Sequence, residues 1–108
     1  MATIEDFKKI EIRVGRIMSA DPVATSEKLL KLMVGFGELG ERQIIAGIAP
    51  YFPDPSLLVG KKCAFAFNLE PRTLLGLESQ GMILASGEAG TFSLLSVEQS
   101  VSEGSLVH

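Results

Sequence analysis

Between two apolar runs, Ala64 to Phe67 and Met82 to Ala85, the chain reads NLEPRTLLGLESQG. That connection holds Asn68, Arg72, Ser79 and Gln80, and two more cations, Lys31 and Arg42, lie on neighbouring apolar runs. Amide, hydroxyl and guanidinium groups are the donors that hold phosphates, ribose hydroxyls and carbonyls. None of them is a nucleophile with a base beside it. Met82 opens the second run, where its thioether could pack inward or meet a ligand.

A search for catalytic chemistry returns little. His108, at the end of the chain, is the only histidine, so no Ser-His or Cys-His arrangement can form within one chain. With a single Cys as well, a zinc site is nearly excluded. Cys63 alternates in phase with Phe65 and Phe67, which reads as core filler rather than a reactive thiol. VGFGELGER (34–42) lacks the lysine of a phosphate-binding loop and reads as a hairpin turn. Glu5, Asp6 and Glu11 read as a solvated face. The expectation is a protein that is not an enzyme, with no cofactor and no metal.

Composition agrees with a binding module. The length of 108 residues suits one domain, 1–108, with one core, and 46% apolar residues argue against disorder. One cysteine allows no internal disulfide, and the start MATIEDFKK lacks the apolar core of a signal peptide. No stretch approaches the roughly 20 apolar residues of a membrane span. A cytoplasmic location and no membrane partner are expected. Net charge is −3, which disfavours bulk attraction to polyanions. All ten Lys and Arg lie between Lys8 and Arg72 beside nine acids, 10 − 9 = +1, and Glu78, Glu88, Glu98 and Glu103 leave the remainder at −4. Any anion-binding face must be local.

The elements that would position these residues are mostly strands. IEIRVGRIM (10–18) sets Ile10, Ile12 and Val14 against Glu11 and Arg13, with Gly15 where a bulge or bend would sit. LLKLMVGFG (29–37) alternates Leu30, Leu32, Val34 and Phe36, leaving Lys31 on the opposite face. RQIIAGIA (42–49), KKCAFAFNL (61–69) and QGMILAS (80–86) follow, with TFSLLSV (91–97) as a sixth. Short helices are expected from Thr3, Asp54 and Ser96, each a capping residue. Five strands and a brief helix between the third and fourth predict an all-β, five-stranded Greek-key barrel of the OB type.

The pieces IEIRVGRI, EKLLKL, RQIIAGI, LVGKK, NLEPR and ESQGMILAS stand in an order that resembles the tRNA-binding domain family from about Ile4 onward. That family includes the C-terminal extension of methionyl-tRNA synthetase, free-standing structure-specific tRNA-binding proteins and CsaA-type chaperones. The resemblance implies an OB-fold whose terminal extensions pair two subunits, and binding to the outer corner of L-shaped tRNA without reading sequence. It also implies RNA contacts for Lys31, Asn68, Ser79 and Met82, to which Arg42, Arg72 and Gln80 are added by adjacency. A tRNA elbow asks for hydrogen-bond donors and a few cations. One Tyr and no Trp make a poor inventory for stacking unpaired bases. An aminoacyl-tRNA synthetase is a further implied partner.

Each residue has a second reading. Asn68 and Ser79 could bond the backbone of the connection, Lys31 could be solvated and Met82 could belong to the core. Arg13 and Arg16 point to a subunit interface or to solvent. The chain departs from the family pattern at Gly35, where an Asp is usual, and at Thr73-Leu74-Leu75-Gly76, where more basic residues are usual. Leu74, Leu75 and Leu77 fit an alternative function, a CsaA-like dimeric chaperone for unfolded or exported polypeptide. A homodimer is expected in either case, because a single small barrel would leave Leu94, Leu95, Val97 and Val101 poorly covered.

Overall fold

In the computed structural model, which describes residues 1–108, the two-residue period of the sequence becomes a set of short antiparallel strands. They are β1 (Ile12–Pro22), β2 (Leu30–Gly35), β3 (Glu41–Ala46), β4 (Lys62–Ala66), β5 (Arg72–Leu74), β6 (Leu77–Ser79), β7 (Met82–Ile83), β8 (Ala85–Ser86) and β9 (Ser93–Leu94). Five of them form one curled sheet in the order β3-β2-β1-β4-β7, while β5–β6 and β8–β9 are separate ribbons. This is the expected all-β, five-stranded barrel with little helix.

The long β1 makes the curl. Its first half pairs with β4 (Ile12↔Ala66 to Arg16↔Lys62) and its second half with β2 (Arg16↔Gly35 to Pro22↔Leu30). The bulge expected at Gly15 occurs at Met18, where pairing steps from Ile17↔Val34 to Ser19↔Met33. Gly15 stays in register opposite Cys63. It is glycine because a Cβ there would sit 2.5 Å from Val34 Cγ1, 2.7 Å from Phe36 and 2.9 Å from Phe65. Gly15 and Ile17 therefore face the core, and Arg13 shares their side of the strand. The Arg13 side chain is partly buried and bonded within the chain: Nη1 donates to the Gly104 carbonyl at 2.8 Å and Nε to Glu11 at 3.1 Å.

Leu30, Leu32 and Val34 of β2 and Ile44 and Ala46 of β3 fill the barrel with Ile17, Phe65 and Phe67. Phe36 meets Phe65 and Phe67 edge-on, with centroids 5.5 and 4.9 Å apart. The short helix expected from Asp54 is a 3₁₀ segment, Pro55–Leu58, which drops Leu58 into the core, and Asp54 caps it by accepting from Ser56 N–H. Helix α1 (Ile4–Phe7) carries a reciprocal capping box between Thr3 and Asp6. The helix expected from Ser96 does not form. The β4 edge needs backbone partners, and the segment stays extended to supply them: Ala64 N–H donates to Leu95 O and Val97 N–H to Lys62 O. For the same reason Leu94 is buried in this chain's own core and Val97 and Val101 are half-covered. Of the four residues expected to lie bare, Leu95 alone is exposed. The termini carry an uncovered apolar cluster of their own, where Ile4, Phe7, Ile10 and Leu106 line one hollow of about 300 Å³.

Candidate nucleic-acid interface

A barrel of this kind must close between β3 and the end of the chain's crossing strands, and β3 has no backbone neighbour on its outer side beyond one bond. Side chains from the NLEPR–ESQG connection do the closing. Gln80 N–H donates to Gln43 O at 2.8 Å, Gln43 N–H donates to Gln80 Oε1 at 3.1 Å, and Ile45 N–H donates to Ser79 Oγ at 3.0 Å. Ser79 then donates to Gly81 O at 3.1 Å. Gly81 takes φ +153°, and a Cβ there would lie 2.9 Å from the Ala66 carbonyl, so the chain can cross this close to β4 only as glycine. The connection is thus the β5–β6 hairpin pinned to β3.

The residues singled out from sequence divide by what they touch. Arg42, on β3, lies with its guanidinium 3.6 Å from the centroid of Phe67. Its Nη1 donates to Phe67 O at 2.6 Å and to Gln80 O at 3.4 Å. Asn68 accepts from Glu11 N–H and donates to Lys9 O, both at 2.8 Å, tying the N-terminal segment to the end of β4. Arg42, Asn68 and Gln80 share one cleft of about 290 Å³.

Arg72 and Met82 share a different groove. It measures about 340 Å³ and is floored by Ile45, Ile48, Leu74 and Ile83. Lys31 stands beside it, because Lys31 and Ile45 are directly paired across β2 and β3, on the face away from the core. Lys31 and Arg72 make no ion pair and no side-chain hydrogen bond, whereas Arg42 and Arg13 are both engaged. Met82 is exposed, which decides its two readings against the core. Ser79, between cleft and groove, is the one buried polar side chain.

Sequence reasoning missed Gln43 and Ile45. Their signal was the alternation itself: with Ile44 and Ala46 inward, Gln43 and Ile45 had to face the same side as Lys31. Cys63 is buried, and that burial pushes its thiol pKa up, as core filler requires.

Residues 12–106 match a family model described as "Putative tRNA binding domain". The chain belongs to the tRNA-binding domain family. Across 105 residues it is 45% identical to the methionine–tRNA ligase of Caldanaerobacter subterraneus subsp. tengcongensis, covering 97% of this chain and 16% of that ligase. The domain thus spans a minor part of the length of the curated relatives it matches. Among solved structures, it resembles a MetRS-related protein from Pyrococcus horikoshii (TM-score 0.92, 38% identity, 100% and 98% of the two chains). It also resembles the chaperone CsaA from Bacillus anthracis (TM-score 0.88, 28% identity, 100% and 99%). The tRNA-binding domain therefore shares its fold with proteins of both kinds, and the site must separate them.

Proposed function

We propose that this domain binds the outer corner of tRNA by shape and not by sequence, on the face that carries Lys31, Arg72 and Met82. The observation that carries the reading is the pairing of two unengaged cations with an apolar groove. Lys31 and Arg72 can each meet a phosphate, while Met82, Leu74 and Ile45 offer van der Waals surface to ribose and base. Arg42, Asn68, Ser79 and Gln80 serve the same site as its frame, and their spare lone pairs and N–H groups reach RNA only from those fixed positions.

The domain itself catalyses nothing and needs no cofactor or metal. It works in the cytoplasm, alone or beside a synthetase of the methionyl type, as its similarity to such ligases supports. No helix is long and apolar enough to cross a membrane. Two copies pair through the termini, where α1 and the Leu106 segment leave Ile4, Phe7 and Ile10 uncovered.

The test is a pair of titrations at low salt, one with mixed tRNA and one with an unfolded polypeptide. Unrelated tRNAs are expected to bind alike, and isolated anticodon stem-loops hardly at all. Polypeptide binding with no tRNA binding would hand the groove to the chaperone function instead. A monomer by light scattering at micromolar concentration would refute the pairing through the termini.

A further inference from the structure

We propose that Tyr51 is a stacking platform for one unstacked base of the bound tRNA, beside the groove that holds Met82 and Arg72. The inference rests on the tRNA-binding reading and adds to it a contact that composition alone argues against, since Tyr51 is the only tyrosine and there is no tryptophan.

The ring is held as a platform should be. It lies against Phe92 with centroids 3.9 Å apart and planes 3° from parallel. Phe92 is fixed in turn by Phe52, edge-on at 6.0 Å and 77°, and both phenylalanines pack against the barrel core. Isolated aromatic pairs favour offset or edge-on contact over a flat sandwich. A flat pair this tight is the start of a stack. Tyr51 nonetheless keeps 38% of its surface exposed, so the ring is held by Phe92 while part of the residue stays open to solvent.

Its place is also right. Ile48 lines the groove, and Tyr51 N–H donates to Ile48 O at 3.0 Å within the 3₁₀ turn Ala49–Tyr51. Ala85 lines the same groove and belongs to the ribbon whose return strand begins one residue after Phe92. Both rings thus lie within a few residues of groove-lining positions, Tyr51 near Ile48 and Phe92 on the ribbon of Ala85. Lys28 holds that turn through its carbonyl, which accepts from Ala49 N–H at 3.1 Å, and its exposed ammonium has no ion-pair partner. A flat ring and a free cation, each close along the chain to a groove-lining residue, are the groups that a base and a phosphate need beside an apolar groove. Stacking on a ring is indifferent to which base arrives, as shape recognition demands. A polypeptide in the groove would accept any apolar side chain at this position.

Because Tyr51 is unique, 3-fluorotyrosine places a single fluorine reporter in the intact chain. The labelled protein is titrated with mixed tRNA at low salt, and binding is followed separately by the anisotropy of end-labelled tRNA. The fluorine resonance is expected to shift in step with saturation. Tyr51→Phe should bind as the unsubstituted chain does, and Tyr51→Leu should bind about five-fold or more weakly, with the salt slope unchanged. A resonance that stays put while tRNA saturates the protein, or that moves only with unfolded polypeptide, overturns the proposal. So does full-strength binding by Tyr51→Leu. If Tyr51→Leu melts early, the resonance of the unsubstituted chain decides. Absence of tRNA binding by anisotropy would defeat the tRNA reading itself and this inference with it.

Discussion

Ser79→Ala separates the frame of the site from its contacts. The hydroxyl accepts Ile45 N–H at 3.0 Å and donates to Gly81 O at 3.1 Å, on a residue only 4% exposed. Alanine leaves a buried N–H without a partner, at a cost of about 1–3 kcal/mol. The local space decides where in that range the value falls. A hollow of about 60 Å³ adjoins Ser79, Ile45 and Gly81, and a water molecule needs roughly 30 Å³ of liquid volume. Water can therefore follow and recover part of the loss, giving about 1.5–2 kcal/mol for alanine. Ser79→Val fills the space and keeps water out, so it should cost more. At about 4–8 °C per kcal/mol for a domain near this size, alanine should lower the melting temperature by roughly 6–16 °C. Urea unfolding with an unchanged m-value measures the loss, and hydrogen exchange at the Ile45 amide localises it. If Ser79→Ala is as stable as the parent chain within about 0.5 kcal/mol and yet loses tRNA, the hydroxyl is a direct RNA contact and the closure argument is refuted.

Gly15→Ala should destabilise the fold by about 1–3 kcal/mol or more, read by urea unfolding, because its Cβ would sit within 3 Å of Val34, Phe36 and Phe65. Lys31→Ala and Arg72→Ala should each weaken every tRNA alike and flatten the salt dependence by about 0.7–0.9, with melting unchanged; an unaltered slope would place the phosphates elsewhere. Arg42→Ala should do the reverse, with melting falling first, since it strips a charged donor from Phe67 O and Gln80 O worth about 1.5–3 kcal/mol. Burial raises the Cys63 thiol above its ordinary 9.0, so the folded state holds this proton the more tightly. That stabilisation is complete below the ordinary value and is lost as pH rises through the raised one; alkaline melts should show the loss, and thiol reagents should react slowly with the native chain.

What the sequence could disclose follows from what each residue had to satisfy. Leu30, Leu32 and Val34 face one side and Lys31 the other because only one face of β2 is core, so period and burial coincide. Along the first half of β1 that link fails. β4 lies on one edge and the Ser105–Val107 segment on the other, and both Val14 and Gly15 are buried, so alternation no longer says which side is the core. Hence Arg13, read as outward, lies with Gly15 and Ile17. That Asn68, Arg72, Ser79 and Gln80 share one connection was legible from spacing, but not that Asn68 and Gln80 line one cleft and Arg72 another groove. A donor in a loop looks the same whether its acceptor is a phosphate or a carbonyl far along the chain. Asn68 bonds Lys9 and Glu11, and Ser79 bonds Ile45, so only the folded chain could assign them.

The division between frame and contact bears on how an acidic domain can hold a polyanion at all. With net charge −3 and Arg13 and Arg42 already engaged, long-range attraction is weak, and one copy of the domain has on the order of two to four ionic contacts to offer. Binding to one groove should then fade near physiological salt. Two grooves on a dimer change this without any new contact, because the second engagement occurs at the effective concentration set by the first. An uncovered apolar patch formed by Ile4, Phe7, Ile10 and Leu106 is what such an arrangement requires. A charge placed there, as in Phe7→Glu, should leave the barrel folded, convert dimer to monomer and reduce tRNA affinity by more than the loss of either cation alone. Equal affinity for monomer and dimer across the salt range would show that one groove suffices.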